Sequence, residues 1–434
     1  MGRIKKIFLF LCILFLFGRS LPLQAQEAEN LSLYATSAVL MDADSGRVLY
    51  QKNGEDIMSM ASTTKILTCI LVLENGSLND TLEISAYSAG MPKVRLSVSK
   101  GEQYIVSDLL YSLMLESHND SAVALAEYIG KAYLSEELQA KPTGEFTTEE
   151  SKQAVAAFAA LMNQRAGDIG CENSWFITPN GLDATETIYL ENGETLVKEH
   201  STTATDLATI MAYCIKKSPQ KEAFLTITRT SSYAFSSLEG RSFSCTNHNA
   251  FLGMMDGALS GKTGFTNKAG YCYVGALERD GRTYVVALLA CGWPNNKTYK
   301  WSDTKELMQY GLERYQYRSF LDVAFDENSL LPIPVLEGQN NNLDAIAYTG
   351  VEITEDNQEN TMQGLLLRDD ETIEVTYEIE KTLEAPVTSG TEVGRIYYKV
   401  NGTIYKTERI LTSENVGKID YKWCFLQILY RYIL

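Results

Sequence analysis

The sequence predicts a mixed α/β domain, in which an antiparallel sheet is flanked by helices, followed by a small all-β domain. Extended, apolar-rich runs near residues 37–51 and 270–291 enclose several stretches of helical periodicity, which is typical of a layered domain. Beyond Pro332-Ile333-Pro334 the composition shifts toward Thr, Val, Ile and Tyr, which favour strands. The 434 residues are enough for two or three domains.

Composition and charge exclude several classes of protein. Hydrophobic residues make up 45% of the chain and charged residues 21%, which is a globular composition and neither a disordered nor a collagen-like one. The formal net charge is −17. Because binding to a phosphate backbone requires a basic surface, nucleic acid is not expected as a partner.

Residues 1–25 are predicted to be a signal peptide. Three basic residues, Arg3, Lys5 and Lys6, precede an apolar run over residues 7–17, and Ala25 offers a small side chain at a plausible cleavage point. An uncleaved anchor is the alternative, although the apolar run is shorter than the ~20 residues that a membrane span needs. The protein is therefore expected to be exported.

The first large domain, residues 26–320, is predicted to alternate strands and helices. Its expected elements are a hairpin of residues 37–42 and 47–51, helices over 61–74, 107–115, 121–133 and 151–164, a hairpin of 270–277 and 282–291, and a helix over 302–315. Asn75-Gly76 marks the end of the first helix. Two polar segments, residues 134–148 and 181–200, are expected to be exposed loops or insertions.

Residues 321–412 are predicted to form the β domain, and residues 413–434 a membrane-associating tail. Asn401-Gly402 stands between two extended runs and suits a type I′ hairpin turn. The mostly apolar residues 423–434 are too few to cross a bilayer. Since Lys418 and Lys422 precede them and could meet lipid head groups, the tail is expected to lie at the membrane interface. A helix packed on the β domain is the alternative.

Cysteine and histidine usage gives no sign of a metal site or a disulfide framework. The cysteines beyond the leader are Cys69, Cys171, Cys214, Cys245, Cys272, Cys291 and Cys424. They are odd in number, form no Cys-x-x-Cys pair and lie mostly in apolar runs, which predicts buried free thiols. His118, His200 and His248 are widely scattered, so the base of any nucleophile is expected not to be histidine.

A serine and a lysine one helical turn apart form the first chemistry-bearing motif. In Ser62-Thr63-Thr64-Lys65, at the start of the predicted first helix, the i, i+3 spacing places both side chains on one face. The lysine amine can then reach the serine hydroxyl. The motif alone is weak, because it recurs at Ser97, Ser218 and Ser302, and a helix cap is the alternative role for Ser62.

Two further motifs follow in order along the chain. Ser117-His118-Asn119 falls between two predicted helices, where a loop can project side chains, although a solvated turn or cap explains it equally well. Lys262-Thr263-Gly264 precedes the second hairpin in a stretch that could be an edge strand, and glycine there would let a ligand approach the backbone. The ordered combination is far more specific than any single motif.

The three motifs, in this order and in an exported chain, resemble those of the penicillin-binding serine acyltransferases, which share them with the serine β-lactamases. Further segments resemble the low-molecular-mass D-alanyl-D-alanine carboxypeptidases in particular. These segments are residues 38–50, 60–65, 176–182, 201–207, 256–266 and 269–272. The resemblance covers about residues 35–320 and implies the penicillin-binding fold. Segments 134–148 and 181–200 look longer than the family's connections, and His118 stands where a smaller residue is usual.

The resemblance also implies residue roles and partners. Ser62 would be the nucleophile, Lys65 its base, Ser117 a proton relay and Asn119 a positioning group, with Lys262 as a second cation. The substrate side would comprise Thr263, Gly264, Phe265 and Thr266, with Lys300 in place of a usual arginine. The expected substrates are peptidoglycan stem peptides ending in D-Ala-D-Ala, the expected inhibitors are β-lactams, and no cofactor is needed. Such an enzyme would act at the outer face of the bacterial cytoplasmic membrane or in the cell wall.

Other functions share these motifs. A serine β-lactamase would need an efficient deacylating base, and residues 176–182 offer no glutamate for one. A transpeptidase would differ only in its acceptor. A wall-binding or β-lactam-sensing protein without turnover would keep the pocket, but the intact Ser62, Lys65, Ser117 and Lys262 argue against it.

Overall fold

The structure is a computed structural model that describes residues 31–190, 192–342, 345–355 and 362–432. Its helices are α1 (Lys65–Asn75), α2 (Ala86–Ala89), α3 (Val106–Leu115), α4 (Asn119–Gly130), α5 (Glu136–Ala140), α6 (Thr148–Asp168), α7 (Ala204–Ala212), α8 (Lys221–Arg229), α9 (Tyr299–Arg314) and α10 (Tyr421–Tyr432). The signal peptide expected over residues 1–25 lies outside the described residues.

The strands before residue 320 are β1 (Ser37–Asp42), β2 (Val48–Lys52), β3 (Thr81–Glu83), β4 (Gln103–Ile105), β5 (Thr185–Tyr189), β6 (Thr195–Glu199), β7 (Ser232–Ser236), β8 (Ser242–Thr246), β9 (Ala258–Thr266), β10 (Gly270–Arg279), β11 (Arg282–Leu289) and β12 (Gln316–Ser319). The later strands are β13 (Ile333–Leu336), β14 (Ala347–Thr349), β15 (Val351–Glu355), β16 (Gly364–Leu367), β17 (Glu374–Ile379), β18 (Leu383–Glu384), β19 (Glu392–Val400) and β20 (Thr403–Thr412).

A five-stranded antiparallel sheet forms the centre of the first domain, in the order β2-β1-β11-β10-β9. Both hairpins predicted from the sequence, β1–β2 and β10–β11, are confirmed. Strand β9, which carries Lys262-Thr263-Gly264, lies at the edge of this sheet, as the sequence suggested. One side of the three-residue motif is therefore open to a ligand.

Both faces of the sheet are buried. Consecutive side chains of a strand point to opposite faces, and in these strands both sets are apolar. Val39 and Val274 pack with α1 and the other helices of a large core. Leu40 and Tyr273 point the other way and pack with Leu307 of α9. Helix α1 is buried over residues 65–73 because it is apolar on every side, and it ends at Gly76 as expected. The other helices predicted for the first domain are confirmed within a few residues at their ends.

The two segments expected to be loops contain regular structure. Segment 134–148 includes the short helix α5, whose first turn carries Glu136 and Glu137, where carboxylates favour the helix N-terminus. In segment 181–200, β5 and β6 pair as a hairpin, because Thr, Ile, Leu and Val suit the pleated ladder. The loop prediction was therefore wrong about secondary structure, although most residues of the hairpin are exposed, as expected.

The second domain is built on β-sheets, as expected, and the 3-10 turns Phe320–Val323 and Glu327–Ser329 lead into it. Strands β15-β20-β19-β17 form an antiparallel sheet, β14-β13-β18 a three-stranded sheet, and β12 pairs with β16. Asn401 and Gly402 join β19 to β20 with φ of 50° and 81°, the positive values of the predicted type I′ turn. Arg47 of the first domain binds Glu371 and donates a hydrogen bond of 2.6 Å to the Leu366 carbonyl.

Helix α10 ends the described chain. Among the residues that the structure describes, no helix combines the length and the apolarity needed to cross a membrane. Tyr421, Phe425 and Ile428 on α10 are 97%, 62% and 56% exposed. Cys424 on the same helix is exposed, whereas the other six described cysteines are buried free thiols, as predicted.

Candidate active site

Ser62 and Lys65 meet at the start of α1. A 3-10 turn, Ala61–Thr64, leads into the helix, and the Lys65 ammonium donates a hydrogen bond of 2.8 Å to the Ser62 hydroxyl. The same ammonium donates to Asn119 Oδ1 at 2.9 Å and to the Asn180 carbonyl at 2.6 Å. Ser62 does not cap the helix, since its hydroxyl faces the Asn180 carbonyl at 3.3 Å. The pair predicted from spacing is therefore in direct contact.

Burial favours the neutral form of the Lys65 amine, which is the form that can act as a base. The side chain is fully buried, and this desolvation holds the pKa of its amine well below the usual value. The positive charge of Lys262 lowers this pKa further, while Asp120 opposes the shift. A neutral amine 2.8 Å from a hydroxyl can accept its proton.

The Ser117-x-Asn119 motif lies between α3 and α4. Asn119 is the first residue of α4, and its side-chain amide donates to the Pro92 carbonyl at 3.1 Å, which aims its oxygen at Lys65. Ser117 has a left-handed backbone, with φ of 68°. Its buried hydroxyl has no hydrogen-bond partner among the described residues, so it is free to bond to a ligand.

The pairing of β9 with β10 decides which motif residues face Ser62. Lys262 lies opposite Val274 and Gly264 opposite Cys272, whose side chains belong to the core around α1. Thr263 lies opposite Tyr273, on the face covered by α9. Burial lowers the pKa of Lys262 to about 7.

Gly264 allows β9 to approach the serine turn closely. A Cβ at this position would lie 2.9 Å from the Ser62 nitrogen and 3.1 Å from the Met60 oxygen, which is too close for any other residue without movement. The edge strand and the 3-10 turn therefore pack backbone against backbone at this point.

The Phe265 amide points out of the open edge of the sheet. Tyr271 of β10 lies opposite Phe265. The Tyr271 amide donates to the Gly292 carbonyl at 2.8 Å, and the Tyr271 carbonyl accepts from the Cys291 amide at 2.7 Å, so both groups point to the segment that follows β11. Tyr271 and Phe265 are therefore a pair without mutual hydrogen bonds, and the backbone groups of Phe265 face away from β10. The Phe265 N–H is thus available to a ligand on the side where Ser62 lies.

Lys300 is in the first turn of α9 and is 3% exposed. Its ammonium donates to the Lys297 carbonyl at 2.6 Å and lies 4.7 Å from the centroid of the Tyr271 ring, which contacts Phe265. Burial lowers the pKa of Lys300 to about 8. It therefore lies on the sheet face of Thr263 and Phe265, and its role toward a carboxylate stays a prediction.

Sequence reasoning missed the Asn180 carbonyl, which accepts from both Lys65 and Ser62. The carbonyl is held by a tight turn in which Gly181 has φ of 82°, and a Cβ on Gly181 would lie 2.0 Å from the Ala61 oxygen. The dipeptide Asn180-Gly181 was the only available signal, because it marks a turn.

Sequence reasoning also missed His200. Its Nδ1 accepts from the Ile177 amide at 3.0 Å, so its Nε2 carries the proton and donates to Thr64 Oγ1 at 2.8 Å. Burial lowers the pKa of His200 to about 3, which keeps the ring neutral. No spacing could reveal this contact, because the two residues are far apart in the chain. His200 holds the turn that presents Ser62.

Known protein families match both domains of the chain. The D-alanyl-D-alanine carboxypeptidase family matches residues 24–133 and 151–290, and the C-terminal domain of penicillin-binding protein 5 matches residues 326–418. The unmatched residues between the first two ranges contain all of segment 134–148, which the sequence suggested to be a loop or insertion.

Individual relatives match nearly the whole chain. The chain is 23% identical to D-alanyl-D-alanine carboxypeptidase DacF of Bacillus subtilis, over 91% of this chain and 89% of that protein. It is 26% identical to DacC of Escherichia coli, over 96% and 93%. The crystal structure of DacD from Francisella tularensis, 22% identical, covers 91% of this chain and 96% of that chain with a TM-score of 0.62, which shows the same fold.

Proposed function

Because the chain belongs to the D-alanyl-D-alanine carboxypeptidase family, a family of serine-type, penicillin-binding enzymes of peptidoglycan metabolism, we propose that Ser62 is its nucleophile and Lys65 its base. The observation that carries the assignment is the 2.8 Å hydrogen bond between a fully buried lysine and the serine hydroxyl. Ser62 attacks the carbonyl carbon between the two terminal D-alanines of a stem peptide, and its proton passes to the Lys65 amine.

The leaving nitrogen of the terminal D-alanine must then gain a proton. Ser117 relays this proton: its buried, uncommitted hydroxyl donates to the leaving nitrogen and regains a proton from the Lys65 ammonium, beside which its loop lies through Asn119. Lys65 is then neutral again. Lys262 supplies a positive charge near Lys65 that helps to keep the Lys65 amine neutral before attack. Asn119 fixes the Lys65 ammonium and can bind the substrate amide.

The oxyanion of the tetrahedral intermediate is bound by two backbone N–H groups, those of Ser62 and Phe265. Gly264 brings the two segments together, and the edge position of β9 leaves the Phe265 amide free. The substrate backbone lies along the same edge, where it can pair with β9 as an added strand.

The terminal carboxylate of the substrate is bound by Thr263, Thr266 and Lys300. Thr266 uses its hydroxyl oxygen to accept from the Ala269 amide at 3.0 Å, which leaves its own hydrogen for the carboxylate. Lysine lacks the planar fork of arginine, so Lys300 acts as a point charge. After the free D-alanine leaves, the neutral Lys65 amine takes a proton from water as it attacks the acyl carbonyl. When the bond to Ser62 breaks, that proton passes from Lys65 to the Ser62 oxygen and the shortened peptide is released.

The test uses a stem pentapeptide and a fluorescent penicillin. Ser62→Ala should abolish both D-alanine release and covalent labelling while thermal unfolding stays unchanged; labelling that persists would place the nucleophile elsewhere. Ser302→Ala, which alters another Ser-x-x-Lys sequence, on the exposed part of α9, is the matched control and should keep both activities. A penicillin adduct that clears as fast as peptide turns over would instead indicate a β-lactamase.

We further propose that the enzyme is exported and that residues 413–434 attach it to a membrane surface while it acts on the cell wall. The apolar side chains exposed on α10 support this, because they leave the helix largely unpacked. Deleting residues 418–434 should release the protein from membranes without lowering activity on soluble peptide. Unchanged membrane fractionation would contradict the proposal.

A further inference from the structure

Three side chains with metal-binding atoms lie in or beside the loop that carries Ser117. Glu116 and His118 flank it in the loop between α3 and α4, and Cys245 comes from β8. One carboxylate oxygen, one imidazole nitrogen and the thiol sulfur all lie within 4.8 Å of one another. His118 and Cys245 are buried, whereas the Glu116 side chain is 25% exposed and opens the cluster to solvent.

Hydrogen bonds orient the His118 ring and the Glu116 carboxylate within the cluster. His118 Nδ1 lies 2.8 Å from the Ser112 hydroxyl, which in turn lies 2.8 Å from the Ser121 hydroxyl. Without a cation, a proton on Nε2 bonds to Glu116 Oε2 at 3.3 Å. A cation can replace that proton, and Nδ1 then carries the ring proton and donates it to Ser112. Fixing one ring nitrogen so that the other can bind is the usual arrangement around metal-bound histidine. Glu116 Oε1 accepts from the Thr246 amide at 2.9 Å, which leaves Oε2 directed at His118.

One ligand-to-ligand distance in the cluster already suits a tetrahedral ion. Zinc binds nitrogen and oxygen at ~2.0–2.2 Å and thiolate sulfur at ~2.3 Å, so neighbouring ligand atoms are about 3.3–3.7 Å apart. The 3.3 Å between His118 Nε2 and Glu116 Oε2 already matches one such edge. The separation between the sulfur and the two loop atoms, which lies within 4.8 Å, must shorten. We propose that Glu116, His118 and Cys245 bind a borderline-soft divalent cation such as Zn²⁺, with the Cys245 thiol proton released to solvent.

Binding should inhibit the enzyme, a consequence that rests on the proposed role of Ser117. Cys245 is fully buried in a paired strand, whereas Glu116 and His118 are on a loop, so the loop must supply most of the movement. Ser117 lies between the two loop ligands and already has a left-handed backbone. A displacement approaching 1 Å of a catalytic group can cost about 10²-fold in rate.

Binding is tested with Co²⁺ as a spectroscopic substitute for Zn²⁺ in the full chain carrying Cys424→Ser, which removes the exposed thiol. One Co²⁺ per chain should produce a thiolate-to-cobalt absorption band that Zn²⁺ abolishes by displacement. Cys245→Ser should lose the band, and Glu116→Gln, which keeps an acceptor for the Thr246 amide, should bind roughly 100-fold more weakly. No band, or an unchanged band in Cys245→Ser, overturns the site whatever the enzyme's activity.

Inhibition is tested by comparing penicillin acylation with and without Zn²⁺ in each variant. The Cys424→Ser parent should lose at least about tenfold in acylation rate, and a chelator should restore it. In Cys245→Ser the rates with and without Zn²⁺ should agree within about twofold, by the same estimate. Binding without loss of acylation would overturn the coupling to Ser117, and equal loss in both variants would place the inhibitory ion elsewhere.

Discussion

Replacing Gly264 with alanine tests whether close backbone packing builds the oxyanion site. The added Cβ would lie 2.9 Å from the Ser62 nitrogen and 3.1 Å from Ala61 Cβ and the Met60 oxygen. Because these are mainly backbone atoms in a packed interior, β9 and the serine turn must separate by roughly 0.5 Å to restore ordinary contact. That shift moves the Phe265 amide away from the Ser62 amide.

The expected loss follows from the cost of misplaced donors. Removing one oxyanion donor costs about 10²–10³-fold in kcat, and a half-formed site should lose roughly 10–100-fold, or about 1.4–2.7 kcal/mol of transition-state stabilisation. Since β9 is an edge strand, the melting temperature should fall by only a few degrees.

The assay measures D-alanine release and the rate of penicillin acylation in Gly264→Ala. The control is Gly253→Ala, since a Cβ on Gly253 meets nothing within 4 Å. A folded Gly264→Ala enzyme with the acylation rate of the parent would refute the argument, because the two donors would then tolerate separation. A loss shared by the Gly253 variant would equally refute it.

Three further predictions concern titratable groups. Lys65→Arg should lose roughly 10²–10⁴-fold in acylation, because a guanidinium stays charged and cannot accept the Ser62 proton, whatever the pH. Lys300→Ala should raise KM far more for a peptide with a free C-terminal carboxylate than for its amide. In the parent, KM for the free acid should rise as pH increases through about 8, because Lys300 loses its charge there. Equal effects of the substitution on both peptides would exclude the contact. Burial lowers the pKa of His200 to about 3 in the folded chain. Between about pH 6.5 and 3, this histidine is therefore protonated in the unfolded chain and neutral in the folded chain. The free energy of unfolding should fall as pH decreases through that range. In His200→Gln, urea unfolding should show a dependence weaker by about 1.4 kcal/mol per pH unit there; an unchanged slope would mean that the ring is already protonated in the fold.

Several features follow from residue patterns that act over short distances. The i, i+3 spacing of Ser62 and Lys65 placed both on one helical face, and the structure joins them at 2.8 Å. Apolar extended runs joined by turn residues predicted the first hairpin of the central sheet, and strand alternation predicted the second. Asn401-Gly402 predicted a turn whose positive φ values the structure shows. The C-terminal β domain and the buried cysteines followed from composition and apolar context in the same way.

Other features depend on segments that meet only in the folded chain. The Asn180 carbonyl touches Lys65, yet every residue carries a carbonyl, so no side-chain pattern marks it. His200 reaches Thr64 across a long separation, and the β5–β6 hairpin is exposed, which leaves it without the apolar alternation that reveals a buried strand.

The ordered motifs alone determined the class of chemistry, because a nucleophile, a base and a strand motif are recognisable by residue type and spacing. Tertiary structure decided which backbone groups face the serine and that Cys245 lies beside His118, because such contacts arise from strand register and packing. Register is a relation between two segments, and neither segment carries it in its own sequence.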